Sequence, residues 1–367
     1  MQNPFSYTKI VEGESFCNRR EEQKDLKNYI QNSQNILLHS YRRMGKTSLI
    51  HKVLGNLNRT TKYLYIDLYG TLTEKDFIAA IVKNLGQIET TLEKLIHLTK
   101  DTFKLIKLSF SIDPQSKMPT VTPSFDYENK KEYLDEIMET ISQISEHQKL
   151  VVVFDEFQEI ANYAEGEFEK RLRKIIQNHQ NISYIFSGSR RHLLWQMFNS
   201  RGRAFYKLAE SYPLPEIKTA DYLKWATKLF KKKKLTPDKE ILKKIFLICE
   251  NHPMHVQRFL YHLWEEENFS EKIIREITTK IINRHQDEFL SIWNSLSQNQ
   301  RKVLKLIVKF DGQDIFSAQA LESVGLRSGS QVTKALEVLN RQDLIFKNHK
   351  YHLQDAIFKY WLKNFLI

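Results

Sequence analysis

At 367 residues the chain exceeds the usual span of one compact domain, so roughly two or three units, each able to bury a core, are expected. A sequence 41% hydrophobic and 12% aromatic is that of a globular protein, and it holds no uninterrupted apolar stretch near the roughly 20 residues that cross a bilayer. That excludes a membrane-spanning helix, while a net charge of +12 favours polyanionic partners, nucleic acid or an acidic protein face, without choosing between them.

The opening Met1-Gln2-Asn3-Pro4-Phe5 has no basic start, apolar block or small-residue cleavage site, so no secretory signal is read and a cytoplasmic location is the default expectation. Ile36-Leu37-Leu38 predicts a short strand ending at His39, and Thr47-Ser48-Leu49-Ile50 takes up helical periodicity after an intervening loop. A second strand at Tyr63-Leu64-Tyr65-Ile66-Asp67, a helix from Glu74 through Leu85 and an apolar strand from Leu150 to Phe154 continue the series. Such alternation implies a mostly parallel sheet covered on both faces. Roughly residues 86–130 interrupt it with a helical stretch, then Leu108–Ile112 and Pro119–Pro123 around Asp113-Pro114, the outline of a β-hairpin attached to the core.

Ile182-Ser183-Tyr184-Ile185-Phe186 is a further strand. It runs into Ser187-Gly188-Ser189-Arg190, placing polar and cationic residues at a strand C-terminus, where open α/β sheets bind ligands. After Pro213 and Pro215 the alternation stops, and Thr219 to about Leu296 reads as consecutive helices. Lys231-Lys232-Lys233-Lys234, the densest basic run, fits a solvated loop between helices better than a phosphate-contact site. Helices at Asn299–Lys309, Ala318–Val324 and Gly329–Asn340 follow, then strands at Leu344–Phe346 and Tyr351–Leu353. Three helices and a hairpin outline a winged helix. Cys17 and Cys249 lie outside any Cys-x-x-Cys spacing and are expected to be buried thiols.

A bound triphosphate needs charge compensation and close approach by backbone N–H groups, which calls for a loop at a helix N-terminus, a lysine and a metal-binding hydroxyl. Tyr41-Arg42-Arg43-Met44-Gly45-Lys46-Thr47 has these parts. Lys46 would reach the β- and γ-phosphate oxygens of ATP, Thr47 would ligate Mg²⁺, and Gly45 would let the backbone approach. The full pattern begins with a glycine, where this chain has Ser40. Gly-Lys-Thr alone recurs by chance, and a second motif gives it weight. Asp155, closing the apolar strand, can hold the magnesium shell, and Glu156 can polarise the attacking water. A strand-terminal Asp-Glu pair can also cap a helix, but on the same alternating series as the loop it points to ATP hydrolysis. Charge developing on the γ-phosphate calls for further polar groups, for which Ser189, Arg190 and Arg203 are candidates, Arg203 in its own site or in a neighbour's.

On these residues the chain resembles the archaeal and bacterial ATPase family of the AAA+ superfamily, close to the signal-transducing STAND ATPases. Asn3-Pro4-Phe5, Phe16-Cys17-Asn18-Arg19-Arg20-Glu21, the loop through Ser48-Leu49, Asp155-Glu156-Phe157-Gln158, Ser187-Gly188-Ser189 and His252-Pro253 follow the family's order. The resemblance implies a P-loop NTPase, AAA+-like parallel-sheet core over 1–215, with the inserted helix and hairpin near 86–130. An α-helical lid over 216–296 and a winged-helix C-terminal domain over 297–367 would follow. It also implies nucleotide contacts from Arg19, beside the adenine, from Arg42, Arg43, Met44, Gly45, Lys46, Thr47 and Ser48, and from His252 and Pro253 in the lid. Two departures from the family stand out: Ser40 in place of the first loop glycine, and Glu250-Asn251, where members often carry glycines.

Winged helices that read DNA present polar side chains near the N-terminus of the third helix, here Arg327, Ser328, Ser330, Gln331 and Lys334, with Lys347 and Lys350 on the wing. Residues 297–367 hold eight Lys and three Arg against four Asp and two Glu, a sign that permits phosphate contacts. Winged helices of this superfamily also dock proteins, so a DNA partner and a protein partner both stay open, as does assembly into an oligomer. No membrane partner is expected.

Overall fold

The computed structural model describes residues 2–58, 60–88, 103–114, 119–125, 132–163 and 166–366. The chain divides into two compact units, one of Arg19–Tyr41 with Lys46–Pro215, the other of Met1–Asn18 with Arg42–Gly45 and Glu216–Ile367.

The first unit carries β1 (Ile36–His39), β2 (Thr61–Asp67), β3 (Lys107–Ile112), β4 (Pro119–Ser124), β5 (Lys149–Asp155), β6 (Ile182–Gly188) and β7 (Glu210–Pro213). Five of them form one sheet in the order β2-β5-β6-β1-β7, and every neighbouring pair is parallel. Its helices are α1 (Arg20–Gln31), α2 (Lys46–Leu54), α3 (Glu74–Asn84), α4 (Glu132–His147), α5 (Glu167–Asn178) and α6 (Arg191–Asn199). From Leu150 to Asp155 every residue of β5 is buried. An interior parallel strand needs apolar side chains on both faces, hence the unbroken Leu150–Phe154 run instead of an alternation.

Aromatic rings fill the core: the Phe77 and Phe154 centroids are 5.2 Å apart, those of Phe157 and Phe186 4.6 Å. Phe157 is fully buried, so the chain leaving β5 is pinned one residue past Glu156. The register pairs Asp67 with Asp155, Phe154 with Phe186 and His39 with Gly188, so four strands end in one row.

Strands β3 and β4 pair antiparallel as a separate hairpin, as their sequence outline predicts. The carboxylate of Glu136 on α4 holds its base, accepting from the N–H groups of Leu105 at 2.8 Å and Ile106 at 3.0 Å. The helical stretch expected before the hairpin falls outside the described residues, save for a 3₁₀ turn at Leu85–Gln87. Strand β7 is not foreseen: Glu-Ser-Tyr-Pro is short and polar, and it becomes a strand because β1 offers a parallel edge to pair with.

The second unit is mainly helical, with α7 (Thr219–Lys232), α8 (Lys239–Ile248), α9 (Pro253–Leu263) and α10 (Glu271–Ser295). Then come α11 (Gln298–Lys309), α12 (Ala318–Ser323), α13 (Gly329–Arg341), the antiparallel pair β8 (Ile345–Lys347) and β9 (Tyr351–Leu353), and α14 (Ala356–Phe365). Helix α14 is absent from the sequence reading. Asp355 starts it, its carboxylate accepting from the N–H groups of Ile357 at 2.8 Å and Phe358 at 2.9 Å. The lysine run ends α7 and caps it. Lys233 donates to the Trp264 carbonyl at 2.5 Å, with its ammonium 5.3 Å from that ring, a favourable place for cations.

A boundary at residue 215 groups residues 2–18 with the sheet, yet they pack among the helices of the second unit. Phe5 lies 5.2 Å from the Trp225 ring, 5.5 Å from Phe230 and 5.8 Å from Trp264. The Gln257 amide fastens the segment, donating to the Ser15 carbonyl at 2.7 Å and accepting from the Ser6 N–H at 3.2 Å. Phe5→Ala is therefore expected to cost about 3 kcal/mol and to lower the melting temperature of the helical unit in calorimetry. An unchanged melt would remove the N-terminal segment from that core. Cys17 and Cys249 are buried thiols, and among the described residues no helix is long and apolar enough to cross a membrane.

Candidate nucleotide site

Strand β1 ends at His39, and α2 begins at Lys46 after a six-residue turn. Gly45 has φ +89°, a left-handed conformation that a side chain would strain. Ser40 is not among the residues with positive φ, so the turn does not require a glycine there. The serine instead joins the site. Lys46 Nζ lies 3.3 Å from both the Ser40 hydroxyl and carbonyl oxygens and 3.2 Å from the Tyr41 carbonyl. His39 is held neutral, its pKa pushed down to about 4 by burial and by the charges of Arg191 and Lys46.

Thr47 Oγ1 donates to Asp155 Oδ2 at 3.0 Å, joining the first turn of α2 to the end of β5 although 108 residues separate them. The same oxygen accepts from the Tyr65 hydroxyl at 2.5 Å, while Oδ1 accepts from the Glu156 N–H at 3.0 Å. Burial and the Asp155 charge push the Tyr65 pKa up, so it stays a donor to that carboxylate.

Glu156 takes a left-handed backbone, φ +51°, unusual for a residue with a side chain. Its Oε2 accepts from Ser189 Oγ at 3.0 Å, from the Ser189 N–H at 3.3 Å and from the Gln158 amide at 2.5 Å. Hydrogen bonds thus run in sequence through Thr47, Asp155, Glu156 and Ser189, four of the residues singled out from the sequence, with Lys46 adjoining Thr47.

Asp67 was not singled out. It is the register partner of Asp155, and its pKa is raised by burial and by the charges of Asp155 and Glu156, against a lowering bond from the Tyr69 N–H. Its only sequence signal is its place at the end of a predicted strand. The sequence points to Arg190 and not to its neighbour Arg191. Arg191 Nη1 donates to the Tyr41 hydroxyl at 2.6 Å with its guanidinium 5.3 Å from that ring, whereas the Arg190 side chain is exposed.

Two other candidate arginines lie apart from this set. Arg203 pairs with Glu169 on α5, Nη2 at 3.0 Å and 3.3 Å from its two carboxylate oxygens. Arg19 is buried, with φ +63°, and donates to Glu22 at 2.9 Å and to the Pro215 carbonyl.

Within the second unit, His252 Nε2 lies 3.1 Å from the Arg42 carbonyl oxygen, and Arg43 Nη1 lies 3.3 Å from Met254 Sδ. Pro253 takes the first position of α9, where its missing N–H costs nothing. Burial and the adjacent His255 hold His252 neutral, its pKa down at about 3. Glu250 and Asn251 have φ +47° and +54°, which is the physical reason glycine suits those places. Their side chains offset the strain: Glu250 accepts from Lys359 at 2.5 Å, and Asn251 Nδ2 donates to the Thr219 hydroxyl at 3.1 Å.

Among the described residues no group of three or more His, Cys, Asp or Glu is placed to hold a metal ion. The hard oxygen donors of Thr47 and Asp155, 3.0 Å apart, nevertheless suit Mg²⁺, which is commonly bound by one or two protein oxygens together with phosphates.

No curated protein sequence matches the chain. A family model described as "Probable winged helix domain" matches residues 287–364. Among solved structures the chain is similar to a Walker-type ATPase of Pyrococcus abyssi, with 18% identity, a TM-score of 0.69, and 95% of this chain and 97% of that one covered. It is also similar to the ORC2 protein of Aeropyrum pernix solved as ADPNP–ADP complexes, with 14% identity, a TM-score of 0.57, and coverage of 92% and 90%. The chain has the P-loop ATPase fold, a parallel α/β core, with a C-terminal winged helix.

Proposed function

We propose that the protein binds ATP with Mg²⁺, hydrolyses it, and acts as a nucleotide-driven switch, as a member of the archaeal and bacterial ATPase family near the STAND ATPases. The Thr47–Asp155 hydrogen bond carries this reading, because it unites the two motifs across the end of one sheet with Glu156 beside them. Lys46 and the backbone N–H groups at the start of α2 would bind phosphate oxygens, and Thr47 and Asp155 would hold the metal. When bound, Mg²⁺ neutralises charge on the phosphates. Glu156 accepts a proton from the attacking water, and the Ser189 hydroxyl orients that carboxylate. Arg190, exposed at the strand end, is a candidate for the γ-phosphate, and Arg203 for a neighbouring subunit. Arg19 and Ser48 complete the proposed nucleotide contacts of this unit. The likeness to a protein solved with ADPNP and ADP supports a nucleotide as the ligand. Steady-state release of phosphate from ATP, lost on chelating magnesium, tests the assignment; a chain that neither binds nor turns over ATP overturns it.

A second reading is a nucleotide-gated DNA-binding or scaffold protein with negligible turnover. It is favoured by the exposed Arg327, Ser330 and Lys334 near the start of α13 and by Lys347 on the wing. Gln331 serves the helix instead, accepting from the Arg327 N–H at 2.9 Å, and Lys350 is tied to Asp311. If this face meets DNA phosphates, log affinity falls linearly with log salt, and Lys334→Ala lowers that slope by about one. Affinity independent of salt, or none, leaves a protein as the partner.

A further inference from the structure

The amide of Gln158 is placed where it governs the Glu156 carboxylate. Gln158 lies in the 3₁₀ turn Phe157–Asn162, is 1% exposed, and directs Nε2 to Glu156 Oε2 at 2.5 Å. Burying a primary amide costs free energy unless its hydrogen bonds are made, and its Oε1 has no hydrogen-bond partner among the described residues. That oxygen lies against Gly188, where a Cβ would come within 2.0 Å of it. A side chain at 188 would therefore displace the amide. Both donors beside Glu156, Gln158 and Ser189, converge on Oε2, and among the described residues none donates to Oε1. One oxygen is fixed and the other is left to accept a proton.

We infer that Gln158 is a positioning residue for Glu156, with Gly188 supplying the space its amide requires. The proposal rests on the reading of Glu156 as the water-activating group. Ser189 holds the carboxylate from the β6 side and Gln158 from the turn after β5, so two donors from different elements fix one rotamer despite the left-handed backbone beneath it. Catalytic groups lose rate steeply when their orientation is relaxed.

The test is single-turnover and steady-state hydrolysis of Mg-ATP by the full chain, with nucleotide affinity and melting temperature measured in parallel. Gln158→Ala is expected to lower kcat about 10- to 100-fold while ATP affinity stays within about twofold, a split that loss of folding would not produce. Gly188→Ala should reproduce that loss in the parent chain but add little to Gln158→Ala, because the clash it creates is already gone. In a Glu156→Gln background Gln158→Ala should have no further effect on kcat. Wild-type kcat in folded Gln158→Ala, or full additivity of the Gly188 and Gln158 substitutions, overturns the positioning role while leaving the ATPase reading intact. A parent chain without ATP turnover overturns both.

Discussion

Lys46→Ala is expected to abolish measurable ATP binding. Lys46 opens α2, is 94% shielded from solvent, and places its ammonium against oxygens of Ser40 and Tyr41. It adds positive charge at a helix N-terminus, where the backbone already favours an anion. Arg191 bonds to Tyr41 nearby and His39 is neutral, so removing Lys46 takes away a cation that His39 cannot replace. Truncating one partner of a desolvated charge pair costs about 2–5 kcal/mol, or about 30-fold to several thousand-fold in affinity. Titration with a fluorescent ATP analogue measures it, and a melting curve separates lost binding from lost fold. Affinity within about threefold of the parent would show that this loop does not hold the phosphates.

Glu156→Gln is expected to keep ATP binding and lose hydrolysis by about 10²–10⁴-fold, the usual contribution of a positioned general base. Glutamine preserves the shape, and its carbonyl can still accept from Ser189 and Gln158, so the turn after β5 keeps its geometry while the basic oxygen is gone. Unlike Lys46→Ala, this change leaves the charge at the loop untouched. Turnover at the parent rate would move the role to another carboxylate, and Asp67, beside Asp155 with a raised pKa, would be the next to substitute.

Periodicity located β1, β2, β5, β6 and the helices α3, α11, α12 and α13 to within a residue or two, because apolar spacing is a local property of the chain. The paired motifs were equally legible: a loop ending in Gly-Lys-Thr and an apolar strand ending in Asp-Glu. Strand β7 was not, since its four residues, with no apolar alternation, become a strand only against β1. The Arg190–Arg191 choice also went beyond local pattern, because one residue of helix turns a side chain by about 100° and only the docked helix shows which arginine reaches Tyr41.

The amino-acid sequence by itself determined the alternating α/β core, the Gly-Lys-Thr and Asp-Glu motifs and the outline of the winged helix, all of which rest on residue type and spacing along a continuous stretch. The tertiary structure alone decided how the residues of the core meet. Strand order set Asp67 beside Asp155, folding brought Thr47 to a carboxylate 108 residues away, and Gly188 made room for the amide that holds Glu156. The residues in each of these contacts lie far apart in sequence, and the burial and backbone geometry that bring them together belong to the whole packed sheet, not to any one segment of it.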